Sequence, residues 1–308
     1  MNKVNLKQKI LNNSKLVREL VYQLHKYAAL KDPYSEANRV YKECFGKDID
    51  WNSPKDMMEK IYWMMFNTDT SLWTRCADKY RVRGYIEEMG MANLLPKLYG
   101  MWEKAEDIDF DSLPNQFVLK ANNGSGTVEI VRDKRLLDVE KLRNKAKEWL
   151  KYTYGYNGAQ MFYTKIKPCI IAEELHHTEG DKSLIDYKIW CFDGEPESVW
   201  VAYDRKKVGA VKMALFDLDW NPLPQHLKST PHYVYDPNDM IPRPESLDDM
   251  LDACRKLTKP FKEVRADFYD VNGKAYFGEL TFLSGYGFYT KDYYDYLGSK
   301  IFLEDLKN

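Results

Sequence analysis

The 308-residue chain is 44% hydrophobic and 30% charged, enough for roughly two packed units at ~150 residues each, which excludes wholesale disorder. Forty-six Lys and Arg against 47 Asp and Glu leave a net charge of −1, which excludes a main role in coating nucleic acid or an anionic membrane. Any polyanion must then be met by a local cluster. Cys44, Cys76, Cys169, Cys191 and Cys254 form no C-x-x-C pair and match neither a disulfide framework nor a zinc-ligand spacing. The first twenty residues lack the apolar stretch of a signal peptide, and no segment approaches ~18 uninterrupted apolar residues. The expectation is a soluble, cytoplasmic protein with no transmembrane segment.

In chain order, the first third reads as helical. Leu16, Val17, Leu20, Val21 and Leu24 mark one face of an amphipathic helix. Ser53-Pro54 opens another, with Met57, Ile61, Met64 and Met65 as a core stripe. From Gln116 the pattern changes: Phe117-Val118-Leu119 is a buried strand, Asn122-Asn123-Gly124-Ser125-Gly126 a turn-rich loop, and Thr127 to Val131 a second strand. A helix over 139–151 follows, then a strand at Cys169-Ile170-Ile171-Ala172 and further strands over 186–193, 197–203 and 210–216. Pro244-Glu245-Ser246 opens a helix carrying Leu247, Met250, Leu251, Cys254 and Leu257, ahead of two long strands over 262–270 and 274–282. Strands in runs with interspersed helices indicate an α+β fold.

The last two strands carry the sharpest signal. Even positions Val264, Ala266, Phe268, Tyr276, Leu280 and Phe282 are mostly apolar, whereas odd positions include Arg265, Asp267, Glu279 and Thr281. A two-residue Asn272-Gly273 turn pairs Val271 with Lys274 and sends Asp267 and Glu279 to opposite faces. A three-residue loop, Val271-Asn272-Gly273, pairs Asp270 with Lys274, sets Arg265 opposite Glu279 and keeps Asp267 on the same face. The apolar parity selects the second arrangement and leaves Tyr269 and Phe277 on the polar face, so that face is partly covered. Carboxylates are suitable Mg²⁺ ligands, and arginine supplies a fork for phosphate or carboxylate oxygens. Taken alone, the cluster reads at least as readily as ordinary cross-strand ion pairing.

Upstream, Lys120-Ala121-Asn122-Asn123-Gly124-Ser125-Gly126-Thr127 places a lysine and two glycines where backbone N–H groups can cradle phosphate. The lysine precedes the glycines and no helix follows, so the P-loop and dinucleotide fingerprints fail, and a plain hairpin turn explains the loop equally well. Glu173-Glu174-Leu175 ends a buried strand, where carbonyl and amide groups leaving the core can read an adenine edge; two terminal acids are also commonly just solvated. His176 and His177 lack partners at ligand spacing and read as surface residues. Asp186 and Lys188 share a face of the next strand.

The order of these elements resembles the ATP-grasp superfamily. More narrowly, DKYRVRGYI, LPNQFVLKANNGSG, DYKIWCFDG, VRADFY and YFGELTF resemble the TupA-like ATP-grasp family, linked to teichuronopeptide and capsular polysaccharide synthesis. The resemblance covers about 75–308. It implies an ATP-grasp fold of two α+β subdomains clasping ATP, 75–180 as the smaller nucleotide lid and 181–308 as the larger catalytic part, behind a mainly helical region over 1–74. It further implies that Arg83, Lys120 and Lys188 meet the nucleotide phosphates and that Asn123, Gly124, Ser125 and Gly126 form the lid. Glu173, Glu174 and Leu175 become the adenine hinge, and Arg265, Lys188 and Lys120 the catalytic cations. Asp267 and Glu279 hold Mg²⁺ with Thr281, which stands where many of these ligases carry asparagine.

The implied reaction is ATP-dependent joining of a carboxylate to an amine through an acylphosphate, on an amino acid, amine, uronic acid, acidic peptide or glycan intermediate, without nucleic acid. A sugar kinase or glycosyltransferase of polysaccharide assembly and a non-catalytic ATP-binding subunit are the alternatives. Acceptor-binding groups are expected in the N-terminal third and between Tyr203 and Lys212, where Arg205, Lys206 and Lys207 can hold a carboxylate.

Overall fold

A computed structural model of the protein describes residues 15–177, 184–205, 210–284 and 287–306. Lys206 and Lys207 lie outside the described residues. Eight α-helices are formed among these: α1 (Lys15–Lys31), α2 (Pro33–Phe45), α3 (Met57–Asn67), α4 (Ser71–Ala77), α5 (Val82–Glu88), α6 (Val139–Lys151), α7 (Leu247–Leu257) and α8 (Lys291–Ser299). Ten strands make two sheets. β1 (Leu98–Trp102), β2 (Phe117–Ala121), β3 (Val128–Val131) and β4 (Ile170–Glu173) form the smaller, in the order β1-β4-β2-β3. The larger runs β10-β9-β5-β6-β7-β8, from β5 (Asp186–Phe192), β6 (Glu195–Tyr203), β7 (Val211–Phe216), β8 (Tyr233–Tyr235), β9 (Glu263–Val271) and β10 (Lys274–Thr281).

Each sheet has its own core. Phe117, Leu119 and Ile170 of the small sheet pack with Leu142 and Ala146 of α6 and with Ile108, Phe110 and Leu113. The large sheet shares one core with α7 and with the N-terminal helices, so that Tyr41 and the methionines of α3 are buried together with Phe268, Leu280 and Tyr294. The Met57, Ile61, Met64 and Met65 stripe is core, as its spacing predicts.

Helix α3 starts later than Pro54. Asp56 accepts from the Glu59 N–H at 2.9 Å and Glu59 reaches back to the Asp56 N–H, a capping box that starts the helix at Met57. Helix α8 crosses this start closely. A Cβ on Gly298 would stand 2.3 Å from the Lys55 carbonyl oxygen and 2.7 Å from the Met57 nitrogen, both backbone atoms. Gly298→Ala is therefore expected to destabilise the protein by about 1–3 kcal/mol, read as a lower denaturation midpoint.

In the closing hairpin, the structure corrects the turn. Val271 pairs with Lys274 across a two-residue Asn272-Gly273 turn, both turn residues at positive φ (55° and 76°). Pairing proceeds to Phe277 opposite Phe268, then slips at Gly278, and resumes with Glu279 opposite Asp267. This bulge supplies the extra residue that the loop does not, so Asp267 and Glu279 share a face after all. Two consequences differ from the sequence expectation. Arg265 lies opposite Thr281 rather than Glu279, and Phe277 turns into the core while Tyr276 takes the polar face. Gly278 sits where a Cβ would be 3.0 Å from the Asp267 carbonyl oxygen and 3.2 Å from the Tyr269 ring.

Candidate active site

The large sheet presents two ladder rows on one face, separated by the core-facing row of Ile189, Ala266 and Leu280. One carries Lys188, Asp267 and Glu279 on β5, β9 and β10; the other carries Trp190, Arg265 and Thr281. Because side chains alternate along a strand, all six face the same way. Arg265 grips Asp267 with two bonds, Nε to Oδ1 at 2.7 Å and Nη2 to Oδ2 at 2.9 Å, and Lys188 pairs with the same carboxylate. Arg265 Nη2 also donates to Thr281 Oγ1 at 3.3 Å, and the Thr281 hydroxyl donates to Glu279 Oε1 at 3.3 Å. The rings of Trp190 and Trp200 lie 5.7 and 5.8 Å from the guanidinium carbon, a cation–π floor that holds Arg265 while it is buried.

The small sheet faces this cluster with cations of its own. Lys120 on β2 pairs with Glu173 on β4, and Arg83 on α5 reaches the same carboxylate at 3.1 Å and the Pro96 carbonyl at 2.9 Å. The three expected hinge residues diverge. Glu173 turns to the cations; Glu174 takes its N–H to the Lys97 carbonyl at 2.9 Å and its carboxylate to the Lys97 N–H at 3.3 Å; Leu175 is buried. Glu174, Leu175 and His177 line a cleft with Tyr99, Asn115 and Gln116. His176 lies against Tyr276 of the large sheet at 4.0 Å between ring centres with the rings tilted by 42°, its Nε2 is buried without a partner among the described residues, and burial holds its basicity below the ordinary value.

The loop after β2 is pinned at its base. Asn122, fully buried, takes the Cys169 N–H on its side-chain oxygen at 2.8 Å and donates to the Lys167 carbonyl at 3.0 Å. Gly124 and Gly126 are at φ 73° and 78°, and a Cβ on Gly124 would meet the Tyr154 ring at 2.5 Å, so glycine is required there twice over. Ser125 and Gly126 are exposed, whereas Asn123 is buried with its Nδ2 unpartnered. Such an orphan amide is costly unless something outside the protein satisfies it.

One residue that the sequence reading passes over joins the two sides. Lys79 donates to the Gly124 carbonyl at 2.7 Å and pairs with Glu279 at 3.2 Å, while its own N–H bonds the Asn122 carbonyl at 2.9 Å. The available signal was the Asp78-Lys79 dipeptide itself: buried Asp78 caps the Tyr80 and Arg81 N–H groups and so fixes where Lys79 projects. Of the expected acceptor cations Arg205, Lys206 and Lys207, only Arg205 lies among the described residues, and it pairs with Asp186.

Burial by itself would raise the Glu279 pKa, but Lys79, Lys188 and Arg265 outweigh it and hold the carboxyl down at about 2. A depressed folded-state value adds stability that is complete above the ordinary 4.5 and disappears as pH falls toward 2. The denaturation midpoints of wild type and Glu279→Gln are therefore expected to converge on acidification through that window. A gap independent of pH would show that the charge of Glu279 contributes nothing. Its side chain keeps 37% exposure, so water screens part of the effect.

Five cations (Lys79, Arg83, Lys120, Lys188, Arg265) thus face three carboxylates (Glu173, Asp267, Glu279), a local excess of two positive charges in a chain of net charge −1. A profile described as TupA-like ATPgrasp matches residues 59–302. The chain belongs to the TupA-like ATP-grasp family. Its fold is the ATP-grasp fold, with a helical N-terminal part. Similar solved structures include a D-alanine–D-alanine ligase from Bacillus anthracis, at 18% identity and a TM-score of 0.46 over 74% of this chain and 66% of that one. Another is the ATP-grasp ligase PsnB with a minimal precursor, at 12% identity and a TM-score of 0.41 over 76% and 64%. A third is a D-alanine–D-alanine ligase from Helicobacter pylori, at 16% identity and a TM-score of 0.40 over 73% and 60%. The chain spans less than two thirds of the length of these structures. No curated protein matches the chain.

Asp267, Glu279 and the Thr281 hydroxyl are oxygen donors of the kind Mg²⁺ takes, which prefers one or two carboxylates completed by water and substrate phosphates. Among the described residues no group of three or more His, Cys, Asp or Glu forms a dedicated all-protein metal cage. The donor set fits a metal that arrives with a phosphate ligand. No described helix is long and apolar enough to cross a membrane.

Proposed function

We propose that this TupA-like ATP-grasp protein is an ATP-dependent carboxylate–amine ligase that acts in bacterial surface polysaccharide assembly, joining an amino acid or other amine to a uronic acid or acidic peptide. The observation that carries the reading is the pair of ladder rows, Lys188-Asp267-Glu279 and Trp190-Arg265-Thr281, opposed by Lys79, Arg83 and Lys120. The excess of two positive charges there matches the two negative charges of a magnesium–ATP complex.

In this reading a carboxylate oxygen of the acceptor attacks the γ-phosphorus, the bond to the β-bridging oxygen breaks, and ADP leaves with the electron pair. The acylphosphate is then attacked by the amine nitrogen, phosphate leaves, and the amine gives up a proton. Phosphoryl transfer demands positioning and charge neutralisation more than covalent help. Lys79, Lys120 and Arg83 bind the phosphate chain, Arg265 and Lys188 steady the transferred group, and the loop from Asn123 to Gly126 excludes water above it. Asp267, Glu279 and Thr281 hold Mg²⁺, which neutralises charge on the phosphates. We place the lid in 75–180 and the catalytic part in 181–308. A groove beyond the lid, lined by Tyr22, His25, Asn123, Ser125, Tyr154 and Gln160, gives an acceptor a place beside the phosphates.

The test is ADP release with Mg²⁺ against a panel of uronic acid conjugates and amino acids. Release that requires both a carboxylate and an amine supports the ligase. A phosphorylated product without amine identifies a kinase, glycosyl transfer without ATP consumption a glycosyltransferase, and ATP binding without turnover a non-catalytic subunit.

A further inference from the structure

Helix α1 is pinned by one side, and among the described residues its other side is uncovered. On the packed side Tyr22 accepts from the Thr153 N–H at 3.2 Å, Glu19 accepts from the Tyr152 hydroxyl at 2.8 Å, His25 meets Glu36 at 2.9 Å, and Ala29 is fully buried. Opposite them stand Leu16, Leu20, Leu24, Tyr27 and Leu30, each between 58% and 82% exposed. At about 100° per residue these five fall within an arc of about 120°, the width of an amphipathic stripe, on the side away from the protein core. The sequence periodicity finds an apolar face in this helix; the structure shows that Leu16, Leu20 and Leu24 do not contribute it to the core. A monomer rarely leaves a continuous apolar stripe open to water without a partner for it.

The charge of the segment that carries the stripe selects the partner. Residues 1–31 hold seven Lys and Arg and a single acid, Glu19, a net charge of +6, which leaves −7 for residues 32–308 of the −1 total. Within α1 the Lys31 ammonium lies 5.8 Å from the centre of the Tyr27 ring, inside the stripe, whereas Arg18 lines a groove on the packed side and Lys26 lies 5.7 Å from the centre of the Tyr156 ring. A helix with leucines and a tyrosine along one arc, a lysine within that arc and a net positive charge in the segment that carries it suits the boundary of an anionic bilayer, where the leucines enter the acyl region and the cations meet phosphate headgroups. Two copies of this helix would instead bring like charges together, and a nucleic acid would leave the leucines in water.

We propose that α1 docks the protein peripherally on an anionic membrane surface, with Leu16, Leu20, Leu24, Tyr27 and Leu30 as the inserted face. The near-neutral total charge conceals this, because the positive segment is offset elsewhere in the chain. Arg18, Tyr22 and His25 on the other side of the same helix line the groove beyond the lid, so docking sets that groove close to the lipid surface.

The test is flotation of the full chain with vesicles of phosphatidylcholine alone and with about 30% phosphatidylglycerol, at low and high salt. Binding is expected only to the anionic vesicles, weakening with salt, and L20E/Y27E is expected to reduce it roughly tenfold or more. Both positions are exposed, so the variant should keep the wild-type melting curve; if it melts early, the milder L16Q/L24Q takes its place. Failure to float with anionic vesicles, or undiminished flotation of a folded stripe variant, overturns the proposal. So does a dimer in sedimentation that the same substitutions dissolve, since the stripe would then be covered by a second copy.

Discussion

Asp267→Asn is expected to lower turnover by roughly 10²–10³-fold while leaving the chain folded. Asp267 is the centre of the site: Arg265 holds it with two hydrogen bonds, Lys188 pairs with it, and Glu279 lies beside it on the neighbouring strand. Asparagine keeps the volume and one acceptor oxygen, so Arg265 retains a partner, but the negative charge that would help hold Mg²⁺ is gone. Asp267→Ala is a harsher variant, since it strands two buried cations, and removing one partner from a buried ion pair costs about 3–5 kcal/mol. Comparing the two by circular dichroism and by ADP release separates the roles. Equal loss of activity with only the alanine variant destabilised means that the carboxylate is needed for chemistry. Wild-type turnover in Asp267→Asn would remove Asp267 from the site.

Inserting one alanine between Gly278 and Glu279 is the second change with a large expected effect. With Gly278 still the bulged residue, the added alanine takes the place opposite Asp267, Glu279 slides to Ala266, and every side chain after Gly278 moves to the other face. Glu279 and Thr281 would then point into the core now occupied by Leu280 and Phe282, and Leu280 would enter the row beside Arg265. Burying an unpaired carboxylate in that core costs several kcal/mol. The insertion is therefore expected to abolish ADP release and to broaden or lower the thermal transition. Retained turnover in the insertion variant would mean that the register after Gly278 does not place Glu279. Gly278→Val tests the same point more gently, because its added carbon approaches the Asp267 carbonyl oxygen at 3.0 Å without changing the register.

Much of this protein could be read from local pattern. Alternation placed Asp267 and Arg265 on one strand face and Lys188 and Asp186 on another, and periodicity found α6 over the same residues, 139–151, that the structure gives it. Short strands with weak patterns, β1 and β8, were missed, because their pairing depends on neighbours that are distant in the chain. Helix α1 shows the limit of periodicity: a period reveals that a helix has an apolar face but not what covers it, and here Leu16, Leu20 and Leu24 face water.

The hairpin shows the same limit within the site. Requiring the apolar residues to share one face correctly demanded one extra residue somewhere between Asp267 and Glu279, and counting could go no further. Whether that residue is spent in the turn or in a bulge depends on where β10 can be squeezed against β9, which is settled at Gly278 by the closeness of the Asp267 carbonyl and the Tyr269 ring. The residue types and their parity were set by the chain alone: the acids, the arginine, the lysines and the glycine loop. Their assembly was decided by folding, since only the packing of two sheets brings Lys79 to Glu279 and Arg83 to Glu173, residues far apart along the chain that no local periodicity can relate.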